Sequence, residues 1–307
     1  MKVCSFLPAS THIIYELGLQ DQLYGITFEC PSDKPKVVRS YLEHTHHNSA
    51  EIDRIVSEYK REDKTLYYID MDLLTAIEPD VIFTQHVCNV CQIGTAYVEK
   101  AIHALKKQPQ LIPLVPRRLK DVFDNVLTIA HALNEAERGK QLIANCEQRI
   151  DRIVDTLRAK RTPPRRVMVI EWLDPIYNCG HWIPDQITLA GGADALSCPA
   201  GYSVPIEWDK IKEYNPEVIV IAPCGFSIER SGEEVEHLKK QDSWNDLLAV
   251  KQGTVYLTDA RFFTQPSTGL VDGIELLAAL FHPDLFAAPA TALGKFRRLE
   301  EREPAVL

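Results

Sequence analysis

Four cysteines follow apolar runs that have the length of buried strands, and thiolates at such positions can bind a metal. Cys88 and Cys91 form a C-x-x-C after the run Val81–Gln85, and Cys30 and Cys224 follow two other runs. Ligands of open α/β sheets bind at the carboxyl ends of strands, so we expect these thiols to line one cleft. Three or four converging thiolates are typical of zinc or an iron–sulfur cluster.

The same four cysteines have other interpretations that stay open. They can contact a ligand without any metal, or they can be small, soft residues that only line a cleft. Cys88 and Cys91 can also form a thioredoxin-like redox pair, since the position between a strand and a helix lowers the pKa of a thiol. However, the loop continues through Gly94 before a clear helix begins, so neither thiol lies at a helix start.

A second candidate site is the stretch EWLDPIYNCGHWIPD, residues 171–185. Glu171, Trp172 and Asp174 leave a predicted strand, and His181 and Trp182 lie in a glycine-containing loop. Tryptophan offers a flat apolar face with one polar group, which suits a large flat ligand. His181 can coordinate a metal or donate a hydrogen bond. The alternative is that Trp182 belongs to the core and His181 bonds only to backbone.

Short apolar runs alternate with helical patterns along the chain, which predicts α/β lobes with mostly parallel sheets. We expect an N-terminal lobe over residues 1–118, with Ser10 capping its first helix, and a C-terminal lobe over 162–286. Residues 119–161 contain no proline, which predicts a linking backbone helix, either one long helix or two in line. Residues 287–307 are predicted to be a polar, weakly ordered tail.

The two lobes carry a repeated pattern. Residues 70–88 and 207–224 each read as a short helix, then Pro-acid-Val-Ile, then an apolar strand that ends at a cysteine. Such internal repeats are typical of two similar structural units. We therefore expect two similar lobes with a ligand cleft between them.

Several stretches together resemble the helical-backbone (class III) substrate-binding proteins, which bind vitamin B12, ferric siderophores, haem and some metals. The similar stretches are CSFLPASTHIIYELGL (4–19), ITFECPSD (26–33), IEPDVIFTQHVCNVC (77–91), EWLDPIYNCGHWIPDQITLAGG (171–192) and VDGIELLAALFHP (271–283). The resemblance implies two Rossmann-like lobes joined by a long backbone helix. It also implies a ligand that is a corrinoid (cobalamin) or a related small-molecule metal chelate.

This resemblance, with the aromatic stretch above, gives one candidate binding site. The predicted ligand-binding residues are Ser10, Gln85, Glu171, Trp172, Asp174, His181, Trp182, Phe226 and Phe263. The predicted metal ligands of the alternative reading are Cys30, Cys88, Cys91 and Cys224. In that alternative the protein is a cytoplasmic zinc or iron–sulfur protein that reuses the fold, with or without enzymatic activity.

Asp72 and Asp209 occupy equivalent positions, seven residues before the repeat prolines Pro79 and Pro216. In the exported vitamin B12-binding protein, the matching acids dock onto arginines of the membrane permease. A third reading is therefore the substrate-binding subunit of an ABC importer. An aspartate at a helix start also caps the helix or meets its dipole, and we expect this simpler role here.

Composition excludes several classes of function. The net charge is −9 with 25% charged and 45% hydrophobic residues, and no basic patch stands out, so we expect no nucleic-acid partner. No apolar run has the length of a membrane span, so we expect no membrane insertion. No phosphate-binding loop or hydrolase motif occurs, which favours a binding protein over an enzyme. Lacking a signal-peptide pattern, the chain is expected to be cytoplasmic, or periplasmic or extracellular if a signal was removed.

The cysteine hypothesis is testable by metal analysis of protein purified without oxygen. If the thiols are ligands, the wild type carries stoichiometric zinc or iron, and the double variant Cys88→Ser, Cys91→Ser carries neither. If the thiols contact a corrinoid instead, the wild type holds no metal and the double variant binds cobalamin less tightly. Equal metal content and equal cobalamin affinity in both proteins would show that the C-x-x-C takes no part in binding.

Overall fold

The computed structural model describes residues 1–62, 64–85 and 95–299 and divides the chain into two compact units. Unit 1 comprises Met1–Asn145 with Pro266–Thr268, and unit 2 comprises Cys146–Gln265 with Gly269–Leu307. Each unit is an α/β structure with a mostly parallel sheet. The predicted fold class, two α/β lobes with mostly parallel sheets, is confirmed.

The described part of unit 1 contains a six-stranded sheet in the order β4-β3-β2-β1-β5-β6. Its strands are β1 (Val3–Ser5), β2 (Leu23–Thr27), β3 (Lys36–Ser40), β4 (Tyr67–Ile69), β5 (Val81–Gln85) and β6 (Gln110–Leu114). Only the pairing of β3 with β4 is antiparallel among these described strands. The strand β3 was not predicted.

Helices connect these strands, and the last helix, α6, continues into unit 2. They are α1 (Pro8–Glu16), α2 (Ser49–Arg61), α3 (Met71–Ile77), α4 (Thr95–Ile102), α5 (Leu119–Ala132) and α6 (Ala136–Lys160). Gly18, with φ of 70°, follows the end of α1, as its position in the sequence predicts. The apolar positions Val122, Val126 and Ile129 of α5 are fully buried, which fits their helical spacing.

The described part of unit 2 contains a five-stranded sheet in the order β13-β12-β11-β7-β9, in which only β13 is antiparallel. The strands of the unit are β7 (Arg165–Ile170), β8 (Gly180–His181), β9 (Gly192–Ala193), β10 (Cys198–Pro199), β11 (Val218–Ile221), β12 (Val255–Thr258) and β13 (Phe296–Arg298). The short strands β8 and β10 pair in parallel outside that sheet. The central strands β7 and β11 are fully buried from Val167 and Val218 onward.

The helices of unit 2 that follow α6 are mostly short. They are α7 (Ile183–Leu189), α8 (Trp208–Tyr214), α9 (Ile228–Glu234), α10 (Glu236–Lys239), α11 (Leu248–Lys251), α12 (Arg261–Thr264) and α13 (Leu270–Phe281). The described residues contain no helix that combines the length and the hydrophobicity required to cross a bilayer.

Both sheets have a point at which the strand order reverses. In unit 1 the chain moves from β1 to β2 and β3 on one side and later to β5 and β6 on the other. In unit 2 it moves from β7 to β9 on one side and then to β11 and β12 on the other. Loops diverge at such a switch point and leave a crevice at the carboxyl ends of the two strands. The crevice is expected between β1 and β5 in unit 1 and between β7 and β11 in unit 2.

The repeated sequence pattern has matching local structure in the two units. Helix α3 ends at Ile77, its C-cap Glu78 has a left-handed backbone with φ of 50°, and the strand β5 follows. Helix α8 ends at Tyr214, its C-cap Asn215 has φ of 47°, and β11 follows. A proline comes directly after each left-handed residue and cannot continue the helix.

The structure corrects two local predictions and distinguishes between the two alternatives for residues 119–161. Ser10 does not cap α1, since that helix begins at Pro8 and its cap, Leu7, makes no side-chain hydrogen bond. The stretch 119–161 forms two helices, because Asn134 adopts a left-handed backbone with φ of 61° between α5 and α6. The tail is not weakly ordered throughout, since β13 pairs with β12, where an edge strand offers unpaired backbone groups.

Two further corrections concern the aspartates of the repeat. The cap of α3 is Asp70, whose carboxylate accepts a hydrogen bond from the backbone N–H of Leu73 at 2.9 Å. Asp72 therefore lies in the first turn of α3 rather than at its cap. Asp209 has the same position in α8, whose cap is Glu207. Both can still interact favourably with the helix dipole.

Arg149 joins the C-terminal half of α6 to α13 within unit 2. Its guanidinium donates to Glu275 at 2.9 and 2.6 Å and also bonds to Asp272. These contacts raise the pKa of Arg149 above its ordinary range, with the hydrogen bonds to Glu275 as the largest cause. The forked geometry is the strong form of an arginine–carboxylate pair.

The variant Arg149→Ala is expected to lower the free energy of unfolding by about 1–2 kcal/mol, because Asp272 and Glu275 then face each other without a cation. Urea denaturation followed by circular dichroism measures the change. Arg152→Ala, on the same helix but exposed, is the control and should stay within about 0.5 kcal/mol of the wild type. Equal losses in the two variants would contradict a specific role of Arg149.

Candidate functional site

The switch point of unit 2 brings together residues from the ends of two neighbouring strands. Glu171 and Trp172 follow β7, and Cys224 and Phe226 follow β11. The backbone N–H of Cys224 donates to the carbonyl of Glu171 at 3.0 Å, so the two loops are joined directly. Four residues predicted to bind ligand or metal therefore lie at one edge of this sheet.

Aromatic groups form one side of this site. The rings of Trp172 and Phe226 meet edge to face at a centroid distance of 5.2 Å. Phe226 is buried, and the guanidinium of Arg230 lies 3.6 Å from the centre of its ring. Trp172 is half-buried and therefore keeps part of its surface open. Such edge-to-face pairs and cation–π contacts fix the ring orientation.

A second group of rings lies on the segments that carry β8 and β10. His181 stacks on Trp182 at 5.3 Å and meets Tyr202 edge to face at the same distance. Tyr202 is 53% exposed, while His181 is half-buried. We call Trp172, His181 and Tyr202 the aromatic face of unit 2, since these rings combine aromatic surface with access to solvent.

The carboxyl of Glu171 connects the two groups of rings. Its Oε2 accepts a hydrogen bond from the backbone N–H of Gly180 at 2.9 Å and another from the hydroxyl of Ser203. Gly180 precedes His181 and Ser203 follows Tyr202 in the chain. Burial of the carboxyl raises the pKa of Glu171 to about 7, against the opposite effect of the two hydrogen bonds.

Trp182 and Phe263 belong to the core of unit 2. Trp182 is 4% exposed, and its indole N–H donates to the carbonyl of Phe263 at 2.6 Å. Phe263 is fully buried. Gln186 extends the same contact, since its side-chain amide donates to the carbonyls of Phe262 and Leu270 at 3.0 and 2.8 Å. This arrangement favours the alternative interpretation of Trp182 as a core residue, and ligand contact by either ring stays a prediction.

Asp174 lies in the loop after β7, next to a cis peptide bond with Pro175. Its carboxylate is 3.7 Å from Nε2 of His237, an ion pair when that imidazole is protonated. Both side chains are partly exposed. A ligand role of Asp174 stays a prediction.

The corresponding edge of unit 1 has different chemistry. Ser5, Ser10 and Thr11 are buried and form a network in which Ser5 bonds to Ser10 at 2.5 Å and accepts from Thr11 at 2.8 Å. The carbonyl of Leu7 lies within hydrogen-bond distance of the hydroxyls of Ser5 and Ser10 and accepts from one of them, while the other donates its proton to that hydroxyl. Gln85, the last residue of β5, is half-buried at the same edge of the sheet. Ligand contact by Ser10 and Gln85 stays a prediction, and Ser10 already has protein partners for its hydroxyl.

Cys30 also belongs to this buried network in unit 1. Its thiol donates to the hydroxyl of Thr11 at 3.3 Å, and burial is the largest cause that raises the pKa of Cys30. A metal binds the thiolate rather than the thiol. The environment of Cys30 therefore favours the protonated form that does not ligate.

The proposed metal-binding roles of Cys88, Cys91 and Cys224 stay predictions. Cys88 and Cys91 lie outside the described residues. Cys224 is exposed at the end of β11. Within the residues that the structure describes, no three histidine, cysteine, aspartate or glutamate side chains come together in an arrangement that could hold a metal ion.

Two residues of the site were missed from the sequence. Tyr202 and Ser203 lie in the segment GYSVP, residues 201–205, which has no apolar periodicity. A Gly- and Pro-containing loop with an exposed aromatic residue is a pattern that could have indicated them. Their contacts with His181 and Glu171 depend on chain segments about 20 to 30 residues away, which local patterns do not reveal.

We predict that Trp182→Ala lowers the free energy of unfolding by about 3–5 kcal/mol, because it removes a buried indole and leaves a cavity. Urea denaturation monitored by circular dichroism gives this value without relying on tryptophan fluorescence. Tyr202→Ala is the matched control, since its exposed ring contributes little to the core. If both variants unfold at the same urea concentration as the wild type, Trp182 is not a core residue.

The chain matches known proteins over most of its length. The model of the family described as "Periplasmic binding protein" matches residues 3–262. The uncharacterized ABC transporter substrate-binding lipoprotein YvrC of Bacillus subtilis is 22% identical over 291 residues, which cover 93% of this chain and 81% of that protein.

Solved structures agree with this assignment at the level of the fold. A periplasmic heme binding protein from Pseudomonas aeruginosa has a TM-score of 0.71 with 15% identity, covering 99% of both chains. The periplasmic vitamin B12 binding protein BtuF of Vibrio cholerae has a TM-score of 0.63 with 16% identity, covering 91% of this chain and 96% of that one. With the family match over more than half of its residues, this chain belongs to the periplasmic binding protein family.

Proposed function

We propose that this protein is the substrate-binding subunit of an ABC importer and that its ligand is a large, flat metal chelate, either a corrinoid such as cobalamin or a related tetrapyrrole. The ligand contacts the aromatic face of unit 2. The observation that carries the proposal is the exposed ring of Tyr202 beside His181, on a segment tied through Glu171 to the switch point with Trp172.

The aromatic face suits a flat ligand for a physical reason. Aromatic rings supply a large contact area at a small cost in side-chain entropy, and their faces stack on other π-systems. Ordinary sugars and amino acids have no extended flat surface that would use three such groups. The imidazole of His181 adds a group that can coordinate the metal of a chelate or donate a hydrogen bond to its edge.

The names of similar proteins support this class of ligand. The Pseudomonas aeruginosa protein is described as binding haem and the Vibrio cholerae protein as binding vitamin B12. A similar structure from Saccharomonospora viridis, with a TM-score of 0.65 and 14% identity, belongs to a ferric hydroxamate transport system. A ferric hydroxamate is also a metal chelate but has no extended aromatic plane, so the aromatic face favours the corrin and porphyrin class over it.

The thiol chemistry of the alternative reading has less support. Cys30 is a buried thiol with a hydroxyl partner and a raised pKa, which disfavours the thiolate that zinc or a cluster requires. We therefore do not propose a zinc or iron–sulfur protein. Cys224, which is exposed beside Trp172 and Phe226, is the thiol best situated to contact a chelate.

An importer subunit requires a permease partner. Asp72 and Asp209 are exposed in the first turns of the equivalent helices α3 and α8, and Asp209 pairs with Lys212 at 2.8 Å. Exposed acids at matching positions of the two units can pair with basic groups of a symmetric partner. The proposed role also favours an extracytoplasmic location over the cytoplasmic one that the N-terminal residues suggested.

Calorimetric titration with cyanocobalamin, haem and ferric desferrioxamine B tests the proposal. We expect cyanocobalamin or haem to bind with a 1:1 stoichiometry. Tyr202→Ala should weaken that binding at least tenfold, since an aromatic contact at a binding site contributes about 1–3 kcal/mol. The matched control is Tyr24→Ala, which removes a ring of similar exposure from the first half of β2 in unit 1.

Two outcomes would contradict the proposal. One is that neither cyanocobalamin nor haem binds at micromolar concentration. The other is that both tyrosine variants bind as tightly as the wild type, which would show that the ligand does not use the aromatic face.

A further inference from the structure

We propose that Glu171 is the positioning residue of the aromatic face: its carboxyl holds the segments that carry His181 and Tyr202 against the end of β7, and ligand binding is coupled to the protonation of this carboxyl. The inference rests on the proposed function, because it concerns the same face. It assigns to Glu171 a role that differs from direct ligand contact.

Glu171 is a junction of several chain segments. Its backbone N–H donates to the carbonyl of Tyr177 at 3.2 Å, and its own carbonyl accepts from Cys224 at 3.0 Å. Its side chain accepts from Gly180 at 2.9 Å and from the hydroxyl of Ser203. The loops after β7 and β11 and the segments around β8 and residue 203 are therefore all tied to one residue.

The segments held by Glu171 are packed too closely to be positioned independently. A Cβ added to Gly180 would lie 2.6 Å from the backbone N of Ser203 and 2.7 Å from the carbonyl oxygen of Gly201. His181 has a left-handed backbone with φ of 52°, and its N–H donates to the carbonyl of Gly201 at 2.7 Å. A non-glycine residue keeps this conformation only where its surroundings enforce it. The bonds to Glu171 are part of that enforcement.

No cation among the described residues balances the charge of Glu171. Burial is the main cause that raises its pKa to about 7, and the groups that oppose it are the neutral Ser203 and Gly180. The titratable neighbours are the Cys179 thiol and, through it, Asp194, whose carboxylate is 3.6 Å from the Cys179 sulfur. Burial raises the pKa of Asp194 to about 6 and that of Cys179 above its ordinary value.

The sign of the coupling follows from these surroundings. The carboxyl of Glu171 is buried, but the residue as a whole keeps part of its surface open to solvent. A ligand that covers the face removes that remaining solvent, which favours the neutral carboxyl further. Binding then takes up a proton when the pH lies near or above the pKa of about 7. The affinity therefore falls as the pH rises from 6 to 8. One proton limits the change to about tenfold per pH unit, and we expect about three- to tenfold over the whole range.

The ligand-free protein has a related dependence on pH. The folded-state pKa of about 7 lies above the ordinary value of 4.5, so the folded protein binds the proton more tightly than the unfolded chain does. This contribution to stability is fully present below pH 4.5 and is lost as the pH rises through 7. Glu171→Gln cannot ionise and should therefore lose less stability than the wild type as the pH rises.

The decisive experiment compares Glu171→Gln, Glu171→Ala and the wild type in titrations at pH 6, 7 and 8 with cyanocobalamin, or with haem if haem alone binds the wild type. The glutamine keeps an oxygen that can accept both hydrogen bonds, so its affinity should equal that of the wild type at pH 6 and should not change with pH. The alanine variant should bind at least tenfold more weakly at every pH. The matched control is Glu217→Ala, which removes a carboxylate that accepts from the backbone N–H of Arg166 at 2.8 Å, before the start of β11.

A measurement without ligand separates this inference from the proposed function. The backbone amide of Gly180 should exchange with deuterium at least tenfold faster in Glu171→Ala than in the wild type, and within about threefold of the wild type in Glu171→Gln. If Glu171→Ala does not fold, Ser203→Ala removes one of the two donors and should accelerate the same exchange. This readout holds even if neither cyanocobalamin nor haem binds, which would contradict only the proposed function and the coupling.

Three results would overturn the inference. Unchanged Gly180 exchange in Glu171→Ala, or in Ser203→Ala where the former does not fold, would show that the carboxyl positions nothing. A wild-type affinity that is constant from pH 6 to 8 would contradict the coupling to protonation. Equal weakening in Glu171→Gln and Glu171→Ala would indicate that the charge itself contacts the ligand, which contradicts the positioning role.

Discussion

The common direction of β7, β11 and β12 is the constraint on which the candidate site depends. These parallel strands end at the same edge of their sheet, so the segments that follow them lie side by side there. The backbone N–H and C=O groups of these segments therefore form hydrogen bonds with one another. The hydrogen bond between the backbone groups of Cys224 and Glu171 is a direct result. Because the strand order reverses at β7 and β11, we expect these loops also to leave a crevice beside the exposed aromatic side chains.

The same constraint gives a different result in unit 1. There the edge near β1 is filled by small side chains, and the buried hydroxyls of Ser5, Ser10 and Thr11 satisfy one another. Such a closed network rigidifies the backbone, since each group that lost its partner would be buried and unsatisfied. In unit 2, by contrast, the carboxyl of Glu171 carries the polar contacts, and aromatic rings provide the accessible surface. The repeat therefore sets the architecture of both units, while the loops determine the chemistry.

The hydrophobic pattern of the sequence predicted the elements whose formation depends on residues close together in the chain. The apolar run Val81–Gln85 was predicted with the bounds that the structure has, and the short helix at the start of each repeat is present as α3 and α8. The strand Phe296–Arg298 could not be predicted, because its sequence has no apolar periodicity and its partner β12 lies about 40 residues away in the chain. The sequence also left open whether Trp182 is a core or a ligand-binding residue, since the partner of its indole is the carbonyl of Phe263, 81 residues away in the chain. The buried state of Cys30 depends in the same way on Thr11, 19 residues earlier.

The central claim is that a flat metal chelate lies on the aromatic face of unit 2. Deuterium exchange of the wild type, measured peptide by peptide with and without saturating cyanocobalamin or haem, tests it most directly. The account predicts slower exchange in bound protein for peptides that cover residues 171–182, 200–205 and 224–226. Peptides from residues 149–156 and 285–289, which line a separate surface cavity of about 320 Å³ in the same unit, should exchange at unchanged rates. Protection confined to that cavity, or no protection at a saturating concentration, would contradict the account.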